Sequence, residues 1–180
     1  TALNETFELG LGLPDRSIWA RRGSGSAARS MCSGIATLEE VSGDWQAREI
    51  SDPSRWPLSV IVAITTEDRK SVSSSIGMER SRSTSPFYKA WIANATKDFD
   101  TCKAAIKNKD FQQLGMITES SCLQMHAVMM SSYPALIYWN EVTVNCIRAV
   151  REMRSQGHEV YFSIAARPQL KACLLKTSQS

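Results

Sequence analysis

The chain has 180 residues, 43% hydrophobic and 22% charged, with a net charge of +3. That balance excludes a disordered chain, and the charge is too mild to argue for a nucleic-acid partner, which needs Lys and Arg clustered on one face. The longest apolar run, Leu58 to Thr65, is one strand long, far short of the roughly 20 residues of a membrane span, so no membrane partner is expected and a small anion fits the charge equally well.

In chain order, Leu3, Phe7 and Leu9 among polar residues predict the end of an amphipathic helix. Leu13-Pro14-Asp15 starts a second helix, which carries Ile18 and Trp19 and closes near Arg21-Arg22. The small residues Gly23 to Ala28 predict a tight loop opening a helix. Ile35 to Leu38 reads as a short strand followed by an acidic turn at Glu39-Glu40. Ser42 to Trp56 is polar, with a turn at Asp52-Pro53-Ser54. A domain boundary near Pro57 separates residues 1–56 from residues 57–180.

Beyond it, Leu58 to Ile64 is rich in β-branched residues and predicts a buried strand. A polar loop, Thr66 to Ser75, follows. Phe87, Trp91, Ile92 and Ala95 fall at helical spacing, as do Phe99, Cys102, Ala105 and Ile106. Asn108-Lys109-Asp110 breaks that helix, and the pattern resumes from Phe111 to Met130, before Pro134. Asn140 is a predicted N-cap for the stripe Val142, Cys146, Ile147, Val150, Met153, with Gly157 as its stop. Val160 to Ile164 and Leu170 to Leu175 read as two strands around Arg167-Pro168. The fold class is α+β, a sheet with helices on one face.

Five cysteines with no CxxC pair, and only His126 and His158, offer no zinc pattern. Reduced, mostly buried thiols are expected, and with no visible signal peptide they point to the cytoplasm. Thr1-Ala2-Leu3 opens the chain without Met, as expected of a processed chain or a piece of a longer one.

The strongest local signal for chemistry is Gly23 to Ser30. Glycines let a ligand approach the backbone, Ser24 and Ser26 supply hydroxyls, and Arg29 supplies a planar fork suited to carboxylate or phosphate. A plain loop with a solvated arginine fits the same composition. Lys70 to Ser75, followed by Gly77, is a second phosphate candidate or an ordinary solvated loop. His126 reads as a core histidine rather than a base, and Met125, Met129 and Met130 as packing. No GxxxxGK[ST] loop, GxGxxG, catalytic triad or metal cluster is present.

Several motifs carry a resemblance further. Ala20 to Ser30 resembles the ARRGSGSA-x-RS signature of diphosphomevalonate decarboxylases. Val72 to Met78 and Thr84 to Trp91 are similar to that family's VSS-x-x-GM and TS-x-FY-x-x-W stretches, and Lys107 to Gln112 and Met125-His126-Ala127 follow in order. The resemblance covers nearly the whole chain. It implies a GHMP-kinase-type fold: residues 1–56 as the remnant of a ribosomal-S5-like N-terminal domain, and residues 57–180 as a ferredoxin-like α/β C-terminal domain. It implies ATP-dependent decarboxylation of mevalonate 5-diphosphate to isopentenyl diphosphate, with ATP and Mg2+ as cofactors. Arg29 would hold the substrate carboxylate. Ser24, Gly25 and Ser26 would lie at its diphosphate, with Ser74 a further phosphate contact. A homodimer is possible, as relatives often form one.

Two departures limit that expectation. The family's Asp-Ala-Gly-Pro-Asn is Ala165-Ala166-Arg167-Pro168-Gln169 here, so position 165 has no group to take a proton. Arg167 stands where a glycine lets the backbone come close. The family's ATP phosphate loop and its lysine/tyrosine substrate motif are absent, and nothing in the residues present supports a nucleotide or metal site. The leading expectation is therefore a fragment or diverged copy of the enzyme. A catalytically inactive binding or assembly protein and a mevalonate-type kinase without decarboxylation are the alternatives. Without the missing strands, residues 1–56 should expose apolar surface and an unpaired sheet edge.

Overall fold

The computed structural model describes residues 2–52, 54, 56–66 and 72–175. Two compact units divide it, Thr1–Pro57 and Leu58–Ser180. In the first, α1 (Ala2–Thr6), α2 (Leu13–Gly23) and α3 (Gly25–Arg29) precede a hairpin of β1 (Ile35–Val41) and β2 (Asp44–Ser51). Pro14 sits in the first turn of α2, where no backbone N–H is needed. Ser17, fully buried, donates to the Pro14 carbonyl at 2.7 Å and accepts the Ala47 N–H at 3.0 Å. One hydroxyl thus ties α2 to β2, beside the buried Ala28 and Ala47.

The structure corrects two expectations here. Glu39 and Glu40 do not turn; they lie inside β1, paired with Gln46 and Trp45. β2 was hidden because its residues are polar and half of it faces solvent. The hairpin turn is Ser42-Gly43, with φ of 53° and 87°, the two positive values that a tight two-residue hairpin turn requires. The apolar exposure expected of residues 1–56 is present at Phe7, Leu9, Trp19 and Val41.

The second unit contains β3 (Leu58–Ala63), α4 (Ser74–Thr84), α5 (Tyr88–Asn108), α6 (Phe111–Met130), α7 (Glu141–Ser155), β4 (Val160–Ile164) and β5 (Leu170–Leu175). Its sheet has the order β3-β5-β4, antiparallel throughout. Lys109, at φ 56°, ends α5 in the left-handed conformation, and the Asp110 side chain accepts the Gln113 N–H at 2.8 Å to start α6. Asn140 and Thr143 cap α7 reciprocally, and the Thr143 hydroxyl also reaches the Pro168 carbonyl at 2.8 Å. That contact fixes the β4–β5 turn to the start of α7. The core gathers Cys122, Ile147, Val150, Val160, Phe162, Ile164 and Leu170, where α6 and α7 cover the sheet. No helix among the described residues is long and apolar enough to cross a membrane.

β3 is a strand as expected, but it is not buried. It lies at the sheet edge, with Val60 54%, Ile61 61% and Val62 51% exposed. A β-branched run reads as interior only when both neighbours are present, and here one side is open among the described residues. Such an uncharged, apolar edge is a template for strand addition. Ile61→Lys is expected to reduce concentration-dependent self-association in light scattering while leaving the circular dichroism spectrum unchanged. The cysteines depart from expectation too: all five are free, but Cys122 alone is buried and the others are half-buried.

Candidate functional site

The Gly-Ser stretch is not a tight loop. It is the junction between α2 and α3, with Ser24 extended at φ −166° between two helices. The Ser24 hydroxyl accepts the Ser26 N–H at 3.3 Å and lies 3.0 Å from the Ser26 hydroxyl. Neither Gly23 nor Gly25 has positive φ, and a Cβ built on either meets nothing within 4 Å. Their lack of side chains answers no internal strain or crowding; it leaves bare backbone facing outward. Arg29 ends α3 exposed, with Nη1 donating to the Gly25 carbonyl at a long 3.4 Å. No carboxylate among the described residues pairs with it. Two hydroxyls, open glycines and an unpaired guanidinium therefore share one surface, a composition suited to an anion with several oxygens.

Ser74 is the first residue of α4 and is exposed, while the neighbouring Ser73 does the capping by accepting the Ile76 N–H at 3.3 Å. Lys70 and Ser71 of the same candidate stretch lie outside the described residues. Gly77 leaves room for Tyr138: a Cβ there would come 2.7 Å from the Tyr138 hydroxyl, which in turn reaches the Val72 carbonyl at 3.4 Å. Tyr138 thereby sets the start of α4, where Ser74 sits.

Ala165 follows the last residue of β4 and is exposed. The Arg167 N–H returns to the Ala165 carbonyl at 2.6 Å, a turn of three residues. Ala165 also borders a cavity of about 490 Å3 between α5, α6 and the end of β4, lined by Trp91, Asp98, Ser121, Cys122 and Met125 among others. Behind it, His126 is 1% exposed, with Nε2 3.2 Å from the Ile164 carbonyl and its ring 4.9 Å from that of Trp139. A carbonyl can only accept, so Nε2 carries the proton. Burial pushes the His126 pKa down, against the upward pull of its backbone hydrogen bonds. It is a satisfied core histidine, as the sequence indicates.

The sign of that shift sets a pH dependence. Below about pH 6.5 an unfolded chain protonates this histidine while the folded one resists, so folding stability must fall as pH drops through that value. Urea unfolding at pH 7.5 and 5.5 is expected to show this loss, and His126→Gln is expected to reduce it.

Nothing among the described residues shows a site for ATP or Mg2+. Among the described residues no three His, Cys, Asp or Glu side chains converge to hold a metal ion, and no glycine-rich phosphate loop occurs in the sequence. Sequence reasoning missed the contacts that Cys122 and Glu119 make with β4. Their one signal was the 3- and 4-residue spacing of Glu119, Cys122 and His126 along α6.

Known proteins resemble this chain in sequence and in fold. The family described as "Mevalonate 5-diphosphate decarboxylase C-terminal domain" matches residues 60–168. Diphosphomevalonate decarboxylase of Candida albicans is 30% identical over 174 residues, covering 93% of this chain and 48% of that protein. The solved mevalonate diphosphate decarboxylase of Staphylococcus aureus aligns with a TM-score of 0.88 at 33% identity, over 96% of this chain and 53% of the other. The solved "MDDEF in complex with MVAPP, AMPPCP and Magnesium" aligns at 0.89 and 35%, over 96% and 54%. The chain thus spans about half the length of the relatives it matches, with their GHMP-kinase-type fold. With the family match, this likeness in sequence and fold places the chain in the diphosphomevalonate decarboxylase family.

Proposed function

We propose that this chain carries part of the substrate site of a mevalonate diphosphate decarboxylase, an enzyme that phosphorylates its substrate from ATP and releases phosphate and carbon dioxide to give isopentenyl diphosphate. The observation that carries this reading is the α2–α3 junction, where Arg29, with no carboxylate partner among the described residues, stands beside Ser24, Ser26 and bare glycines. The guanidinium grips the carboxylate by two parallel hydrogen bonds, and the serine hydroxyls and the Gly25 backbone hold diphosphate oxygens. Ser74, exposed at the first turn of α4 in the second unit, is by itself a candidate to bind a phosphate oxygen. No step through ATP or Mg2+ is derived from these residues.

Ala165 favours a second reading, a homologue that binds but does not turn over. A methyl group cannot accept or orient the proton of the reacting hydroxyl. The test is incubation of the longest natural form of the protein, and of its Ala165→Asp variant, with ATP and mevalonate diphosphate, following ADP and carbon dioxide. ADP and carbon dioxide together support decarboxylation. ADP alone supports a kinase. Neither product, with mevalonate diphosphate still bound, supports the binding protein. Turnover that appears only in Ala165→Asp assigns the missing function to that one position.

A further inference from the structure

β4 is an outer strand of its sheet, so half of its backbone groups face away from β5. Several of those groups are taken by side chains. The Val160 carbonyl accepts from Arg154 Nε at 3.1 Å, and the Phe162 N–H donates to Glu119 Oε1 at 3.0 Å. At Ile164 both groups are taken. Its N–H donates to Cys122 Sγ at 3.1 Å, and its carbonyl accepts from the Cys122 thiol at 3.4 Å and from His126 Nε2 at 3.2 Å. Glu119, Cys122 and His126 lie along one stripe of α6, at spacings of three and four. Side chains of a helix thus stand where a neighbouring strand would be.

The consequence falls on one residue. Ile164 forms the last rung of β4 with β5, against Leu170, and Ala165 follows it directly. Where that residue points is therefore set by α6 as much as by the sheet. We propose that Cys122 and His126 are positioning residues that clasp both backbone groups of Ile164 and so aim position 165, where the family carries its aspartate. The thiol accepts the Ile164 N–H and donates to the Ile164 carbonyl. The imidazole, packed on Trp139, completes the carbonyl. Cys122 is 5% and His126 1% exposed, so both hold Ile164 from within the core. This assignment rests on the reading of the β4 end as part of the site, but its test needs no ligand.

Amide hydrogen exchange followed residue by residue, with Phe162 as internal control, separates a local clasp from general stabilisation. In Cys122→Ala the Ile164 amide is expected to exchange about tenfold faster relative to Phe162, the factor for one lost hydrogen bond. Cys122→Ser, which keeps a donor and an acceptor, should restore most of that protection. In His126→Phe, which keeps a ring against Trp139, the Ile164 carbonyl carbon resonance should move while that of Phe162 stays. Equal acceleration of Ile164 and Phe162 in Cys122→Ala, with no rescue by serine, would overturn the proposal. An Ala165→Asp variant without turnover counts against the functional reading alone, because the exchange contrast uses no substrate.

Discussion

Gly115→Ala is expected to destabilise the Leu58–Ser180 unit by about 3 kcal/mol, at the upper end of overpacking costs. Gly115 lies in α6 with the Tyr161 ring flat against its backbone, and a methyl group there would overlap the ring carbons Cγ, Cδ1 and Cδ2. The ring has nowhere to retreat. It is 5% exposed, stands edge-on to Phe111 at 5.5 Å and 74°, and lies 4.4 Å from the Arg154 guanidinium. Glycine is needed here for closeness of helix and strand, since the position is ordinary helix. Urea unfolding is the check: the midpoint should fall with little change in slope. Tyr161→Leu in the Gly115→Ala background should recover part of the loss, because the two changes share one contact.

Glu119→Ala is expected to have a comparable effect, about 3 kcal/mol, at the low end for breaking a buried ion pair. Glu119 is 8% exposed, pairs with Arg154 and accepts the Phe162 N–H. Removing it leaves a guanidinium without its carboxylate and a buried N–H without an acceptor. The lower figure applies because the Arg154 side chain is 33% exposed and keeps some water. Glu119→Gln retains an oxygen for Phe162, so about 1 kcal/mol is expected. If the alanine and glutamine variants unfold at the same urea concentration, Glu119 contributes nothing through the strand.

Much of the second unit was legible in the sequence because its elements announce themselves locally. Asp110 and Asn140 cap α6 and α7 where the apolar stripes begin, and Lys109 sits in the break between α5 and α6. β2 was not legible, because a polar strand in a two-stranded hairpin has no apolar alternation to show. The exposure of β3 was misread for the opposite reason: Val60, Ile61 and Val62 have an interior composition but stand at an edge. Composition records what a residue prefers, and strand order decides what covers it.

The candidate site divides in the same way. Ser24, Ser26 and Arg29 were singled out from a short contiguous motif, although the motif folds as a helix junction and not as a loop. Ala165 stood out because an expected acid was absent. The grip of α6 on β4 was invisible, since Cys122 and Ile164 are 42 residues apart and neither is unusual alone. Contacts of that length follow from packing, which no local pattern encodes.

Calorimetric titration of mevalonate diphosphate into this chain and into Arg29→Ala reaches the central assignment most directly. Saturable one-site binding is expected in the first, weakened about tenfold or more in the second, as for loss of a charge-assisted hydrogen-bonding pair. An equal affinity in both proteins, or no heat in either at millimolar ligand, would contradict the assignment of Arg29 as the substrate's anchor.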